Sequence, residues 1–379
     1  MQEVANMNNM IQTAGPSISQ KEIDYTLDAV KNGWYENWSG YITQFEEEFA
    51  KYIGTKYAIS TSSCTGALHL ILASLRLKKG DEIIVPSTTW VATANVVKYV
   101  NAEPVFTDVD KNTYTMSPES LERNITEKTR AIIPVHLYGH PADMDPILEI
   151  ADEHGLYVIE DAAPSIGSEY KCKKVGNLGD AAGFSFQGAK LMVTGEGGML
   201  TTDNDEIYET ASLIANQGRD PHTDFWIREI GLKYKMSNIQ AALGLAQLER
   251  IEELIAKKRT IHKWYKNKLS GLEGIQLSTE KEWARSIHWM TSMVLDDSIP
   301  VQRDKLREKL LSENIDTRPL FPPVNKFPMF KDCSCPNSEF LYKRGINLPS
   351  ALNLTKEDVN FVSDTIVDLL GLTSKVLTR

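Results

Sequence analysis

The sequence predicts an α/β fold: three layers around a mostly parallel sheet, followed by a smaller α+β domain. Two observations carry this. Seven short apolar runs between Tyr57 and Thr202 lack the in–out alternation of a half-exposed strand, so both their faces are expected to be covered. Between most of them lie stretches with helical spacing, the order of successive βα units. Beyond a long Ala-, Leu-, Glu- and Lys-rich stretch the pattern changes to a few strands and helices with Pro-rich turns.

Taken in order, residues 1–15 are polar and expected to be loose. Ser19 to Asn32 has helical spacing through Ile23, Leu27 and Val30, with Ser19 and Glu22 forming a capping box. Asn32-Gly33 stops this helix. Trp34 to Gly40 reads as an aromatic loop, and Tyr41 to Tyr52 as helix. The strand candidates are then Tyr57–Ser60, Glu82–Pro86, Pro104–Thr107, Arg130–Val135, Leu156–Ile159, Ala181–Phe186 and Met199–Thr202. The intervening helices are Gly66–Leu75, Thr93–Val100, Pro118–Asn124 and Asp145–His154. Met236 to Leu269 is a long helical pattern, in which Leu248 to Leu269 reads as a bridge between domains, the plain alternative being two ordinary surface helices. A strand around His288–Leu295, a helix at Arg303–Asn314, a Pro-rich loop at Arg318–Pro323 and a last helix from Lys356 complete the chain. The domains expected are residues 16–250, large, and 251–379, small.

Composition narrows the function. The 379 residues carry a formal net charge of −10, which argues against nucleic acid or an anionic membrane as partner. Met1 to Met10 has neither a basic nor an apolar region of a signal peptide, and no apolar run is long enough to span a bilayer, so a cytoplasmic location is expected. Four cysteines do not suggest a disulfide framework. Cys333-Ser334-Cys335 lacks a second pair or nearby His to complete a metal site and reads as a surface loop.

The chemistry is expected around Val158 to Met199. Asp161 ends a buried strand, where open α/β sheets place their ligands. Lys190 follows the next strand 29 residues on, after Gly188-Ala189 and before Gly195-Glu196-Gly197-Gly198. A lysine amine can form a Schiff base with the aldehyde of pyridoxal 5′-phosphate (PLP), while a carboxylate pairs with the pyridinium nitrogen. A turn-capping Asp and a solvated Lys are the plain alternative. Ser62-Ser63-Cys64-Thr65 joins a strand to a helix, a place that suits a phosphate or a simple N-cap. Trp90 could stack on a flat ring or fill the core.

Further blocks make the pattern specific: Thr65-Gly66-Ala67-Leu68-His69-Leu70, Val135-His136-Leu137-Tyr138-Gly139-His140, Thr194-Gly195-Glu196-Gly197-Gly198-Met199 and Arg344-Gly345-Ile346-Asn347-Leu348-Pro349. With them the chain resembles, over almost its whole length, the DegT/DnrJ/EryC1/StrS aminotransferases. The resemblance implies the PLP-dependent aspartate aminotransferase fold (fold type I). It implies amino transfer from an amino acid, glutamate by analogy, to a keto-sugar of the nucleotide-linked kind. It assigns Lys190 and Asp161 to catalysis, Cys64, Thr65 and Ser185 to the cofactor phosphate, and Trp90 to the ring. Lys233 stands where relatives carry an Asn that reaches the neighbouring subunit's phosphate, which implies a homodimer with shared sites. Several positions depart from the family: Cys64 for glycine, Pro164 for a polar residue, Gln187 and Ala189 for Phe and Asn, and Glu36-Asn37-Trp38-Ser39 for a Ser-Ser-x-Gly loop. These changes keep two other readings open, a small phosphorylated ketone as acceptor and a non-catalytic binding or regulatory member.

Overall fold

The computed structural model describes residues 10–372. Its centre is a seven-stranded sheet of β1 (Tyr57–Thr61), β2 (Glu82–Pro86), β3 (Glu103–Thr107), β4 (Thr129–Ile132), β5 (Tyr157–Asp161), β6 (Ala181–Ser185) and β7 (Gly198–Thr202). The spatial order is β1-β7-β6-β5-β4-β2-β3. The block from β6 to β3 is parallel throughout. Only β7 breaks the pattern, pairing antiparallel with both β1 and β6. Apolar content shows that these strands are buried but does not encode their direction.

Helices α1 (Gln20–Asn32), α2 (Gly40–Ile53), α3 (Cys64–Ser74), α4 (Ala92–Tyr99), α5 (Pro118–Arg123), α6 (Met144–His154), α7 (Asp205–Ala215) and α8 (Asn238–Leu248) accompany this sheet. The predicted capping box of α1 forms, with Ser19 and Glu22 reciprocally bonded. Helix α2 is held to the sheet by Phe45, Phe49, Phe184 and Phe186, all fully buried. Burying each such ring stabilises the fold by roughly 1.5–3 kcal/mol.

The long helical pattern divides into two helices, one ending at Leu248 and the next beginning at Ile251. Arg250 breaks it, with φ −107° and ψ 6°, and turns its guanidinium to the buried carboxylate of Glu22 at 2.6 Å. Helix α9 (Ile251–Leu269) then crosses between two cores. Leu254 and Ile255 join the aromatic cluster, while Ile261, Tyr265 and Leu269 join that of a second sheet. The second sheet contains β8 (Ile275–Leu277), β9 (Thr291–Leu295), β10 (Arg318–Pro319) and β11 (Gly345–Leu348), in the order β8-β9-β11-β10. Helices α10 (Arg303–Ser312), α11 (Pro336–Arg344) and α12 (Lys356–Leu370) complete it.

Four expectations need correction. The strand expected from His288 begins only at Thr291, because His288 has φ +48° and cannot extend the ladder. The Pro-rich loop contains a paired strand, Arg318–Pro319. Residues 10–15 are not loose: Ile11 exchanges backbone hydrogen bonds with Asn314 and Asp316 at 2.9 and 3.0 Å. The rest of that expected segment, residues 1–9, lies outside the described residues. Cys335 is buried rather than on a surface loop, with its sulfur 3.7 Å from that of Cys333. Among the described residues no helix is long and apolar enough to cross a membrane.

Candidate active site

Asp161 is the last residue of β5 and lies opposite Gly183 of β6. Its carboxylate is buried and accepts two hydrogen bonds, from Thr93 Oγ1 at 2.7 Å and from the Ala163 N–H at 3.1 Å. Thr93 has one proton to give. When it goes to the carboxylate, Thr89 Oγ1, 3.0 Å away, can donate to Thr93 in turn. Burial pushes the Asp161 carboxyl above its ordinary range, while Thr93, Ala163 and the Lys190 ammonium pull it back.

Lys190 sits on a loop that folds back on itself after β6. Phe186 donates to Gly197 at 2.9 Å, Thr194 to Phe186 at 2.8 Å, and Gly188 to Gly195 at 3.0 Å. The return needs Gly197, with φ +157°, where a Cβ would come within 2.3 Å of Thr194 Oγ1. The Lys190 ammonium lies 4.1 Å from the centre of the Trp289 ring. Trp289 is fixed in turn by its indole N–H, which donates to the Ala189 carbonyl at 2.8 Å. Burial lowers the Lys190 amine from its ordinary value, opposed by the nearby Asp161 and Cys64. A lysine so desolvated is a readier nucleophile.

The third part is the start of α3. Ser63 caps the helix by accepting from the Gly66 N–H at 3.0 Å. The Cys64 and Thr65 amides find no acceptor among the described residues, so they remain available to an anion. Gly198 of β7 packs directly under this turn, since a Cβ there would lie 2.5 Å from the Cys64 nitrogen. Gly198 also pairs with Ser185, which brings that hydroxyl to the same end of the site. The Cys64 thiol turns inward: its sulfur would be 3.3 Å from a Cβ on Gly183, the residue opposite Asp161. Burial raises this thiol well above its ordinary value.

Trp90 is 61% exposed, and its carbonyl accepts from the Thr93 N–H at 3.2 Å. Its ring begins an aromatic wall through Phe321, at 5.6 Å, and Tyr138, at 5.4 Å from Phe321, to Trp289. Lys233 is the exception. It is exposed, beside Asn216 on the segment leading to α8, and makes no contact with Lys190, Asp161 or Cys64 among the described residues. Of the departures, Pro164 is buried, and the exposed Gln187 accepts from the Ala189 N–H at 2.9 Å. Trp38 is exposed after a short helical turn.

Sequence reasoning missed Thr93 and Trp289. Thr93 carries no motif, and its link to Asp161 spans 68 residues. Trp289 fell inside an expected strand, where a buried aromatic is unremarkable. It also missed the support beneath the site. His136 accepts from the Ala142 N–H at Nδ1, so its Nε2–H donates to Glu160 at 2.9 Å. Glu160 also takes the amides of Gly176, Leu178 and Gly179, which anchors the strand end next to Asp161.

The arrangement fits PLP on its own terms. The unbonded amides of Cys64 and Thr65 lie at one end, above Gly198 and its partner Ser185, where a helix start suits a phosphate. A desolvated amine and a buried carboxylate within its electrostatic reach suit the aldehyde and the ring nitrogen. Comparison with known proteins agrees. The sequence profile of the DegT/DnrJ/EryC1/StrS aminotransferase family matches residues 16–367. A GDP-perosamine synthase of Caulobacter vibrioides is 41% identical over 356 residues, covering 93% of this chain and 96% of that protein. Among solved structures, the aminotransferase TlmJ from Streptoalloteichus hindustanus superposes with a TM-score of 0.90 at 27% identity, covering 96% of this chain and 99% of TlmJ. The PLP form of a putative sugar aminotransferase, Spr1654 from Streptococcus pneumoniae, gives 0.89 at 26% identity, over 94% and 98% of the two chains. The chain belongs to the DegT/DnrJ/EryC1/StrS aminotransferase family and is a PLP-dependent transaminase.

Proposed function

We propose that this enzyme moves an amino group from an amino acid, L-glutamate by family analogy, to a nucleotide-linked keto-sugar in surface-polysaccharide synthesis. The observation that carries the residue assignment is the convergence of Lys190, Asp161 and the unfilled amides of Cys64 and Thr65. The similarity to GDP-perosamine synthases supports the acceptor class.

When bound, PLP supplies an electron sink for the bonds at the donor's α-carbon. The chain's own residues do the rest. Lys190 would hold the cofactor and, when its amine is free, would take up and return a proton as base and acid. Thr93 and Ala163 favour the ionised form of Asp161, which would balance positive charge at the ring nitrogen. Cys64, Thr65 and Ser185 would hold the phosphate, and Trp90 would stack on the ring.

Lys233 serves the neighbouring subunit's phosphate, so the working unit is a homodimer. Exposed Phe225 and Ile230, 88% and 95% accessible on the same excursion, support a subunit interface there. In this reading residues 16–250 form the cofactor-binding domain and 251–379 the smaller one.

The test is Lys190→Ala. It should fold, retain no covalently held cofactor and lose turnover. Undiminished turnover would end the assignment. Rates on GDP- and dTDP-linked keto-sugars, set against a small keto-phosphate, test the acceptor. Preference for the keto-phosphate would favour the other acceptor class, which the changed Glu36–Ser39 loop keeps in view.

A further inference from the structure

A cavity of about 730 Å³ opens on the second half of α9, where that helix faces residues 270–280. Its volume is that of a small-molecule site. It shares no lining residue with the Lys190, Asp161 and Cys64 group.

Three cations line it at helical spacing: Arg259, Lys263 and Lys266. The Arg259 guanidinium is already held by Glu280 at 2.6 Å and by the Ser286 carbonyl. Lys263 and Lys266 are exposed and make no ion pair among the described residues, whereas the nearby Lys268 is paired with Asp364. Among the described residues Glu280 is the only carboxylate in the lining, and Arg259 balances it. The cavity therefore carries two uncompensated positive charges on a chain whose formal net charge is −10.

The floor has one unsatisfied buried polar atom as well. Ser278 Oγ is buried with no hydrogen-bond partner. His262 and His288 stack face to face at 3.6 Å, each more than nine-tenths buried. His262 Nδ1 lies 3.4 Å from Thr291 Oγ1, and its Nε2 makes no hydrogen bond among the described residues. A buried polar atom without a partner, as Ser278 Oγ is, is uncommon and calls for an occupant.

We infer that this cavity binds a diphosphate-bearing small molecule, its phosphates between Lys263 and Lys266 and its inner oxygens on Ser278 and His262. The site is independent of the substrate proposed above. It also adjoins the active site: His288 is the chain neighbour of Trp289, whose ring faces Lys190.

Isothermal titration of the PLP-loaded full-length enzyme with inorganic pyrophosphate tests this, because the cofactor already fills its own phosphate site. Binding should weaken as salt is added. It should fall roughly tenfold or more in Lys263→Glu/Lys266→Glu, and also in Ser278→Ala, which alters no charge. Both lysines are exposed, so the visible cofactor absorbance should not change. If the double charge reversal loses that absorbance, Lys263→Gln/Lys266→Gln removes the charge more gently and should still lose binding. Titration with GDP and dTDP separates the sources, read as the part of the binding that Lys263→Gln/Lys266→Gln removes, because the active site keeps its own nucleotide affinity in both proteins: a removed part equal to that for pyrophosphate means that the diphosphate alone is read, and a larger one means that the remaining volume holds the nucleoside. Pyrophosphate binding that is absent at millimolar concentration, or equal in wild type and both lysine variants, would overturn the inference.

Discussion

Replacing Thr93 by valine removes one of the two hydrogen bonds to Asp161 and leaves nearly the same shape. The Thr93 hydroxyl is 2.7 Å from Oδ2, and only the Ala163 amide, at 3.1 Å, would remain. A hydrogen bond to a charged group contributes about 1.5–3 kcal/mol. At about 1.4 kcal/mol per pKa unit, its loss should raise the Asp161 carboxyl by roughly 1–2 units. The sign follows from what the bond favours. Thr93 donates to the ionised carboxylate, so its removal favours the protonated form, adding to the upward push of burial. A protonated Asp161 cannot balance charge at the cofactor's ring nitrogen. The acid limb of kcat/KM against pH should therefore move to higher pH by roughly that amount, with activity recovering at alkaline pH. PLP should also bind about tenfold more weakly. Thr93→Ser keeps the hydroxyl and should restore both. An acid limb that stays in place in Thr93→Val, with cofactor affinity unchanged, would refute the idea that Thr93 tunes Asp161.

Two further outcomes follow from the packing. Gly198→Ala places a methyl within 2.4–2.6 Å of the Ser63 and Cys64 backbone, so the α3 start must shift. Thermal unfolding should show a loss of about 1–3 kcal/mol, and equilibrium dialysis a weaker hold on PLP. Lys258 is fully buried, has no counter-ion among the described residues and donates to the Trp289 and Ser350 carbonyls. Burial pushes its amine down to about 7 from 10.5. The unfolded chain then binds more protons than the folded one between these values, so stability should rise with pH across that window. The difference of 10.5 − 7 = 3.5 units sets an upper bound of about 5 kcal/mol. Denaturant midpoints across that range should lose the part of the slope due to this group in Lys258→Met; an unchanged slope would mean that the lysine is not the cause.

How much of this was legible depended on whether the signal was local. The strand ends were, because apolar runs stop where burial stops, and all seven central strands fall within a few residues of their expected bounds. Asp161, Ser185 and Lys190 sit on or next to such strands, and Cys64 and Thr65 open the helix that follows one, so topology alone gathers them. Strand direction was not legible, which is why the antiparallel pairing of β7 came as a finding. Helix α11 was not among the expected elements; it opens on Pro336, and at the first turn of a helix proline lacks only an N–H that would go unused. Thr93 and Trp289 act through tertiary contacts that leave no local trace. How Cys64 replaces the family's glycine was not legible either: its thiol turns toward Gly183 and leaves its own amide free.

Reduction of the purified holoenzyme with borohydride, followed by peptide mass mapping, bears most directly on the chemistry. The cofactor's mass should appear on the peptide containing Lys190 and on no other. A coloured, active protein whose label falls on a different lysine, or on none, would contradict the account.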